Sequence, residues 1–174
     1  DFSRVITFNL DEYYGVQPDQ LQSYNRWMRD QFFNHVNIRP ENIHIPDGTI
    51  DSSEIDAYCR DYEAHIEQAG GIDILLLGIG RNGHIGFNEP FSIPNSRTRL
   101  CMLDPLTRKD AASDFFSEDN VPIQAVTMGI GTILEARKIL LMALGEHKAE
   151  IVREAAERDV TDRVPASALQ TPSD

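Results

Sequence analysis

The sequence predicts an α/β fold with a mostly parallel sheet. Strand-like apolar runs alternate with stretches of helical periodicity along the chain. The run Ile72–Leu77 is almost continuously apolar, as a strand covered on both faces would be. It leads straight into a glycine-rich segment, and in open α/β sheets ligands bind beyond the carboxyl ends of the strands. A length of 174 residues suits one domain over 1–174 with a sizeable buried core.

Each element has its own signal. Val5–Asn9 reads as a short strand, followed by an acidic turn from Leu10 to Gly15. Pro18 and Asp19 open a helical pattern that puts Leu21, Tyr24, Trp27, Met28 and Phe32 on one face. Ile43–Ile45 is a short strand stopped by Pro46-Asp47-Gly48. Ser52 or Ser53 is placed to cap a helix reaching Gln68, with Asp56 three residues beyond Ser53, and Gly70-Gly71 ends it. After the strand Ile72–Leu77 comes the loop from Gly78 to Pro90. Arg97–Leu103 alternates as a strand, which puts Arg97 and Arg99 on one face, and Pro105 starts a helix through Phe116. Ala125–Met128 and Ile139–Leu144 read as strands, Thr132–Ala136 and Lys148–Glu157 as helices, and Pro165–Asp174 as a turn or 3₁₀ tail.

Composition narrows the function. With 41% hydrophobic and 25% charged residues the chain is neither disordered nor fibrous. A net charge of −12, from 28 acidic and 16 basic residues, argues against a nucleic-acid partner but leaves a small anion open, because a few convergent cations and helix amides suffice to bind one. No apolar run is long enough to cross a bilayer, and no secretory leader is visible. Cys59 and Cys101 form no CxxC pair and the histidines no HExxH, so neither a zinc site nor any other metal site is expected, and a reducing cytoplasm is the expected compartment. The chain starts at Asp1 and enters a strand almost at once, the pattern of a piece that begins inside a domain.

Two loops at strand ends hold the chemically loaded residues. Glycines at 78, 80, 83 and 86 fit neither GxGxxG nor a P-loop, yet they leave a backbone able to approach a ligand closely. Within that loop, Asn82, His84 and Glu89 supply an amide, an imidazole and a carboxylate. His84 either packs against the loop backbone or acts as an acid–base group with Glu89 as its orienting partner. Asp11 and Glu12, just past the first strand, are either a solvated turn or part of a proton-abstraction site facing the second loop. Lys148 sits at a helix start after Gly145, a place suited to phosphate, with Arg97, Arg99 and Arg108 as other cations.

These residues resemble the glucosamine-6-phosphate deaminase (isomerase) family. The matching blocks are Phe8-Asn9-Leu10-Asp11-Glu12-Tyr13, Gly78 through Pro90, Ser96-Arg97-Thr98-Arg99 and Leu144-Gly145-Glu146-His147-Lys148-Ala149, in order and spacing over nearly the whole chain. The resemblance implies a Rossmann-like three-layer sandwich that here lacks the family's N-terminal strand and phosphate loop. It also implies conversion of glucosamine 6-phosphate and water to fructose 6-phosphate and ammonium with no cofactor and no metal. In those terms Asp11 removes the C2 proton, His84 opens the sugar ring, Asn82 and Glu89 support His84, and Lys148 binds phosphate. Glu12, Gly80, Gly83 and Arg108 join the substrate site, and the chain acts on a small sugar phosphate, with a homo-oligomer in keeping with the family. Many relatives place an Arg before the Phe-Phe pair, where this chain has Asp114 before Phe115-Phe116, and Arg108 is the substitute considered. Two other functions on the same fold are a non-catalytic sugar-phosphate binder and a 6-phosphogluconolactonase-like hydrolase, the second disfavoured by Asn88-Glu89-Pro90.

Overall fold

The computed structural model describes residues 1–170; the last four residues of the expected tail, 171–174, lie outside the described residues. Among the described residues, seven short strands and five α-helices alternate as an α/β fold. β1 (Thr7–Phe8) pairs in parallel with β3 (Ile43–His44), and β4 (Leu75–Leu77) in parallel with β7 (Ile139–Leu141). Between these parallel pairs in the sequence lies a feature that the alternation pattern does not reveal. β2 (Asp11–Tyr13), β6 (Gln124–Thr127) and β5 (Arg99–Met102) form an antiparallel sheet in the order β2-β6-β5.

The expected acidic turn is therefore partly a strand. Asp11, Glu12 and Tyr13 lie opposite Thr127, Val126 and Ala125, so backbone pairing with a buried central strand overrides the weak strand preference of two carboxylates. The first helix is shorter than its pattern, α1 covering Tyr24–Gln31 with no fully buried residue, and Leu21 and Trp27 face solvent instead of the core. Ser23 is its N-cap, accepting from the Asn25 amide.

α2 (Ile55–Gln68) buries Ile55, Cys59, Tyr62 and Ile66 along one stripe and ends where Gly70 and Gly71 take positive φ. Neither Ser52 nor Ser53 caps it; Ser53 is drawn back to the Asp51 carboxylate by its amide (2.8 Å) and hydroxyl (2.6 Å). The Tyr62 hydroxyl donates to the carbonyls of Asn9 (2.9 Å) and His44 (3.2 Å), tying α2 to the ends of β1 and β3.

β4 departs from the expected double coverage. Leu75 and Leu77 are buried, whereas Ile74 and Leu76 are 65% and 55% exposed, because among the described residues nothing packs over that face. The main core gathers Tyr62, Ile66, Leu77, Ile85, Met128 and Ile133, together with Ile151 from α5 (Ala149–Glu157). α4 (Ile130–Leu134) begins two residues before its expected start. α3 (Pro105–Ala111) starts where expected, capped by Asp104 through the Leu106 amide (2.8 Å), but stops well short of Phe116. Phe116 has a φ of 65° and lies out in solvent, incompatible with a continuing helix. The tail forms the expected 3₁₀ turn over Pro165–Gln170.

The Asp104 cap sets the first turn of α3, so Asp104→Ala is expected to lower stability by about 1 kcal/mol, read by urea denaturation.

Candidate active site

The loop after β4 is folded onto the antiparallel sheet by two buried side chains. The Thr127 hydroxyl accepts from the Phe87 amide (3.0 Å). The Asn88 amide group donates to the carbonyls of Ile85 (2.9 Å) and Met128 (2.8 Å), and its oxygen accepts from the half-buried Arg99 (2.8 Å). Thr127 also stands opposite Asp11 in the β2–β6 register. The same residue thus holds the strand that carries Asp11 and the loop that carries His84.

The two candidate reactive groups line one cavity of about 350 Å³, a volume within the range of small-ligand sites. Its walls include Asp11, His84, Thr107 and Lys148, with Tyr13, Tyr24 and Phe87 forming an aromatic side. A larger cavity of about 500 Å³, lined by Tyr14, Gln20, Phe115, Phe116 and Asn120 among others, has among the described residues no carboxylate, imidazole or cation in its wall.

Asp11 has no hydrogen-bond donor on its carboxylate among the described residues, and its pKa is raised to about 7, first by burial and then by repulsion from Glu12. Glu89 goes the other way. Burial pushes it up, but hydrogen bonds from His84, Thr107 and Asn82 and the charge of His84 outweigh that, and its pKa ends below the usual range. Its Oε2 lies 3.2 Å from His84 Nδ1 and 2.8 Å from the Asn82 amide nitrogen, while its Oε1 accepts from the Asp104 amide at 3.1 Å. An ionised carboxylate only accepts, so Nδ1 carries the proton and Nε2 is left facing no partner among the described residues. The Asn82 oxygen accepts from the His84 amide at 3.2 Å, so the neutral amide fastens the loop and the carboxylate at once.

Lys148 lies at the cavity wall with Nζ donating to the Ile79 carbonyl at 2.7 Å. Gly80 also lines the cavity, and its lack of a side chain is used: a Cβ there would overlap the His84 ring.

Three of the expected site residues lie outside the cavity lining. The Glu12 carboxylate does not line the cavity; it is fully buried and accepts from Ser23 Oγ (2.7 Å) and from the amides of Tyr13 (2.9 Å), Tyr24 (3.1 Å) and Asn25 (3.0 Å). It therefore anchors the first turn of α1, where free amides attract a carboxylate. Gly83 lies behind the cavity, its carbonyl accepting from the Ala166 amide (2.9 Å). Arg108 points away, its guanidinium donating to the carbonyls of Glu118 (3.0 Å) and Val121 (3.2 Å).

Sequence reasoning misses Thr107, whose Oγ1 is 3.2 Å from His84 Nδ1. It stands three residues after the Asp104 cap, one turn into α3, and a lone Thr there carries no signal of its own. Tyr24 is missed as a cavity wall because the pattern assigns it only to a helix face. Among the described residues no cluster of three or more His, Cys, Asp or Glu could hold a metal ion, and no helix is long and apolar enough to cross a membrane.

The model of the family described as glucosamine-6-phosphate isomerases/6-phosphogluconolactonase matches residues 1–174. The chain belongs to this family. It is 49% identical over 169 residues to a glucosamine-6-phosphate deaminase of Thermoanaerobacter sp. (strain X514), covering 97% of this chain and 66% of the relative. It is 50% identical over 174 residues to that of Clostridioides difficile (strain 630), covering 100% and 69%. The chain therefore spans about two thirds of the length of these curated relatives. A solved structure of a monomeric glucosamine-6-phosphate deaminase superposes with a TM-score of 0.95 at 47% identity, over 99% of this chain and 71% of that one. This superposition agrees with the Rossmann-like α/β class expected from the sequence.

Since the His84 ring occupies the space above Gly80, Gly80→Ala is expected to displace it. Nitrogen-15 imidazole spectra of His84 would change, and the Nδ1 proton would lose the protection that Glu89 gives it.

Proposed function

We propose that the protein is a glucosamine-6-phosphate deaminase, which isomerises the aldose to a ketose and releases ammonia. The observation that carries this reading is the shared cavity: a carboxylate from β2 and an imidazole from the glycine-rich loop face one sugar-sized space with a lysine in its wall. The family membership and the deaminase relatives at about half identity support it further.

The chemistry follows from the side chains. A ring-closed amino sugar has no carbonyl, so its C2 proton is not acidic until the ring opens. Opening moves a proton from the C1 hydroxyl to the ring oxygen, a task for one group that both accepts and donates. His84 fits it through Nε2, because Nδ1 is engaged by Glu89 and Thr107. Enolisation then needs a base beside C2. Asp11 serves, since a carboxylate with no donors and a raised pKa is a stronger base than a solvated one. The C2 proton passes to Asp11, the C1 oxygen gains a proton, and an enolamine forms. Returning a proton to C1 gives a C2 imine, and water adds there to release ammonia and leave the ketone. Lys148 holds the phosphate end and so fixes which carbon meets Asp11.

Ammonia and fructose 6-phosphate release from glucosamine 6-phosphate tests the reading. Asp11→Asn and His84→Gln are each expected to lower kcat by about 10²–10⁴, and an Asp11→Asn protein with unaltered turnover removes the enolisation role. Asp11 must be ionised to accept the proton. The rate is therefore expected to fall as pH drops below about 7, with a tenfold loss per unit further down.

Stability runs oppositely. A carboxyl whose folded pKa lies above its unfolded value stabilises the fold in its protonated form, and that contribution is lost as pH rises from about 4 through about 7. The inactive Asp11→Asn protein is accordingly expected to be more stable than the parent at pH 8, by about 1–3 kcal/mol, and to show no gain at pH 4 in thermal melts.

A further inference from the structure

The cavity wall holds two cations, and the function proposed above assigns only one. Among the described residues, Lys148 and Arg81 are the only lysine and arginine lining it. Lys148 Nζ is tethered to the carbonyl of Ile79, and Arg81 stands two residues further along that loop, so the two side chains reach the cavity from different elements that meet at this loop. Among the described residues no carboxylate lies within ion-pair distance of Lys148. Arg81 pairs with Asp110 of α3 at 2.9 Å. With Arg108 turned onto the Glu118 and Val121 carbonyls, no other guanidinium reaches this cavity among the described residues.

We propose that Arg81 is a specificity-determining residue that grips the phosphate of the sugar phosphate beside Lys148, exchanging Asp110 for phosphate oxygens as the substrate enters. This rests on the deaminase reading above. The exchange is cheap in one direction and favourable in the other. The Arg81 and Asp110 side chains are 53% and 38% exposed, and an ion pair so open to water contributes little. A phosphate monoester near neutrality carries close to two negative charges and presents oxygens that match the guanidinium fork, so it outcompetes a single solvated carboxylate. A second cation in the same wall adds to the attraction that Lys148 alone exerts on a dianion.

The arrangement also gives Asp110 a defined part. In the free protein it parks the Arg81 side chain at the cavity mouth, and its charge opposes an anion that has not yet engaged Arg81. Arg81 and Asp110 therefore have opposite effects on substrate affinity, which a simple structural bridge between the loop and α3 would not give.

Steady-state kinetics on the protein with glucosamine 6-phosphate, and inhibition by inorganic phosphate, decide the matter. Arg81→Gln is expected to raise KM and the inhibition constant of inorganic phosphate at least about tenfold while kcat stays within about threefold. Arg81→Lys falls between it and the parent, and Asp110→Asn has a KM at or below the parent's. The proposal is overturned if Arg81→Gln keeps KM within twofold, or if Asp110→Asn raises KM alongside it, the behaviour of a bridge that serves only the fold. Circular dichroism of each variant separates loss of contact from loss of fold, and Arg81→Lys carries the test if Arg81→Gln does not fold. A parent protein that releases no ammonia fails the deaminase reading itself, whereas an active parent with an indifferent Arg81 fails this inference alone.

Discussion

Thr127 sets the distance between the two halves of the site. Its backbone lies in β6 opposite Asp11, and its hydroxyl accepts the Phe87 amide from the loop that carries His84. Strand pairing fixes the first relation to within the tolerance of a β-ladder, and a buried hydrogen bond fixes the second. Asn88 repeats the stitch one residue on, through the Met128 carbonyl. Both side chains are fully buried, so each polar atom left without its partner would be desolvated for nothing. That cost keeps a glycine-rich loop, which would otherwise sample many conformations, in a single arrangement.

A second restraint works from the opposite side of β2. Glu12 spends its whole carboxylate on the start of α1, and this draws Tyr24 against Tyr13, with ring centroids 5.3 Å apart, to form the aromatic side of the cavity. Consecutive residues on a strand point to opposite faces, so Asp11 and Glu12 divide the labour: one faces the cavity and the other builds its wall. Glu12 also bears on Asp11 electrostatically, since its charge adds to burial in raising the Asp11 pKa.

Much of this is legible in the sequence, and what is not has a physical reason. The loop Gly78–Pro90 is visible because its glycines fit neither helical nor strand periodicity and follow directly on an almost continuously apolar strand run. Helix α2 is visible because its stripe and its Gly70-Gly71 stop agree. Strand β2 is hidden: two adjacent carboxylates read as a turn, and only the partner strand more than a hundred residues later makes them extended. Glu12 and Arg108 look like site residues by charge alone, yet charge says nothing of direction, and each is used up on backbone groups of a neighbouring turn. Thr107 is invisible for the converse reason. Its hydroxyl matters only because α3 happens to lie over His84, a tertiary fact with no local trace.

The division of the acids explains why the site can hold opposite demands at one pH. Asp11 sits without donors, so burial and a like charge push its proton affinity up. Glu89 is also buried, but donors from His84, Thr107, Asn82 and the Asp104 amide hold it ionised. Burial acts in the same direction on both; the count of hydrogen-bond donors decides the outcome. The donors around Glu89 come from the glycine-rich loop and α3, whereas Asp11 belongs to β2, so the two carboxylates are tuned by separate elements of the fold. A carboxylate of raised proton affinity in the cavity wall and one held ionised behind the imidazole can then stand within one site without either setting the other's pKa.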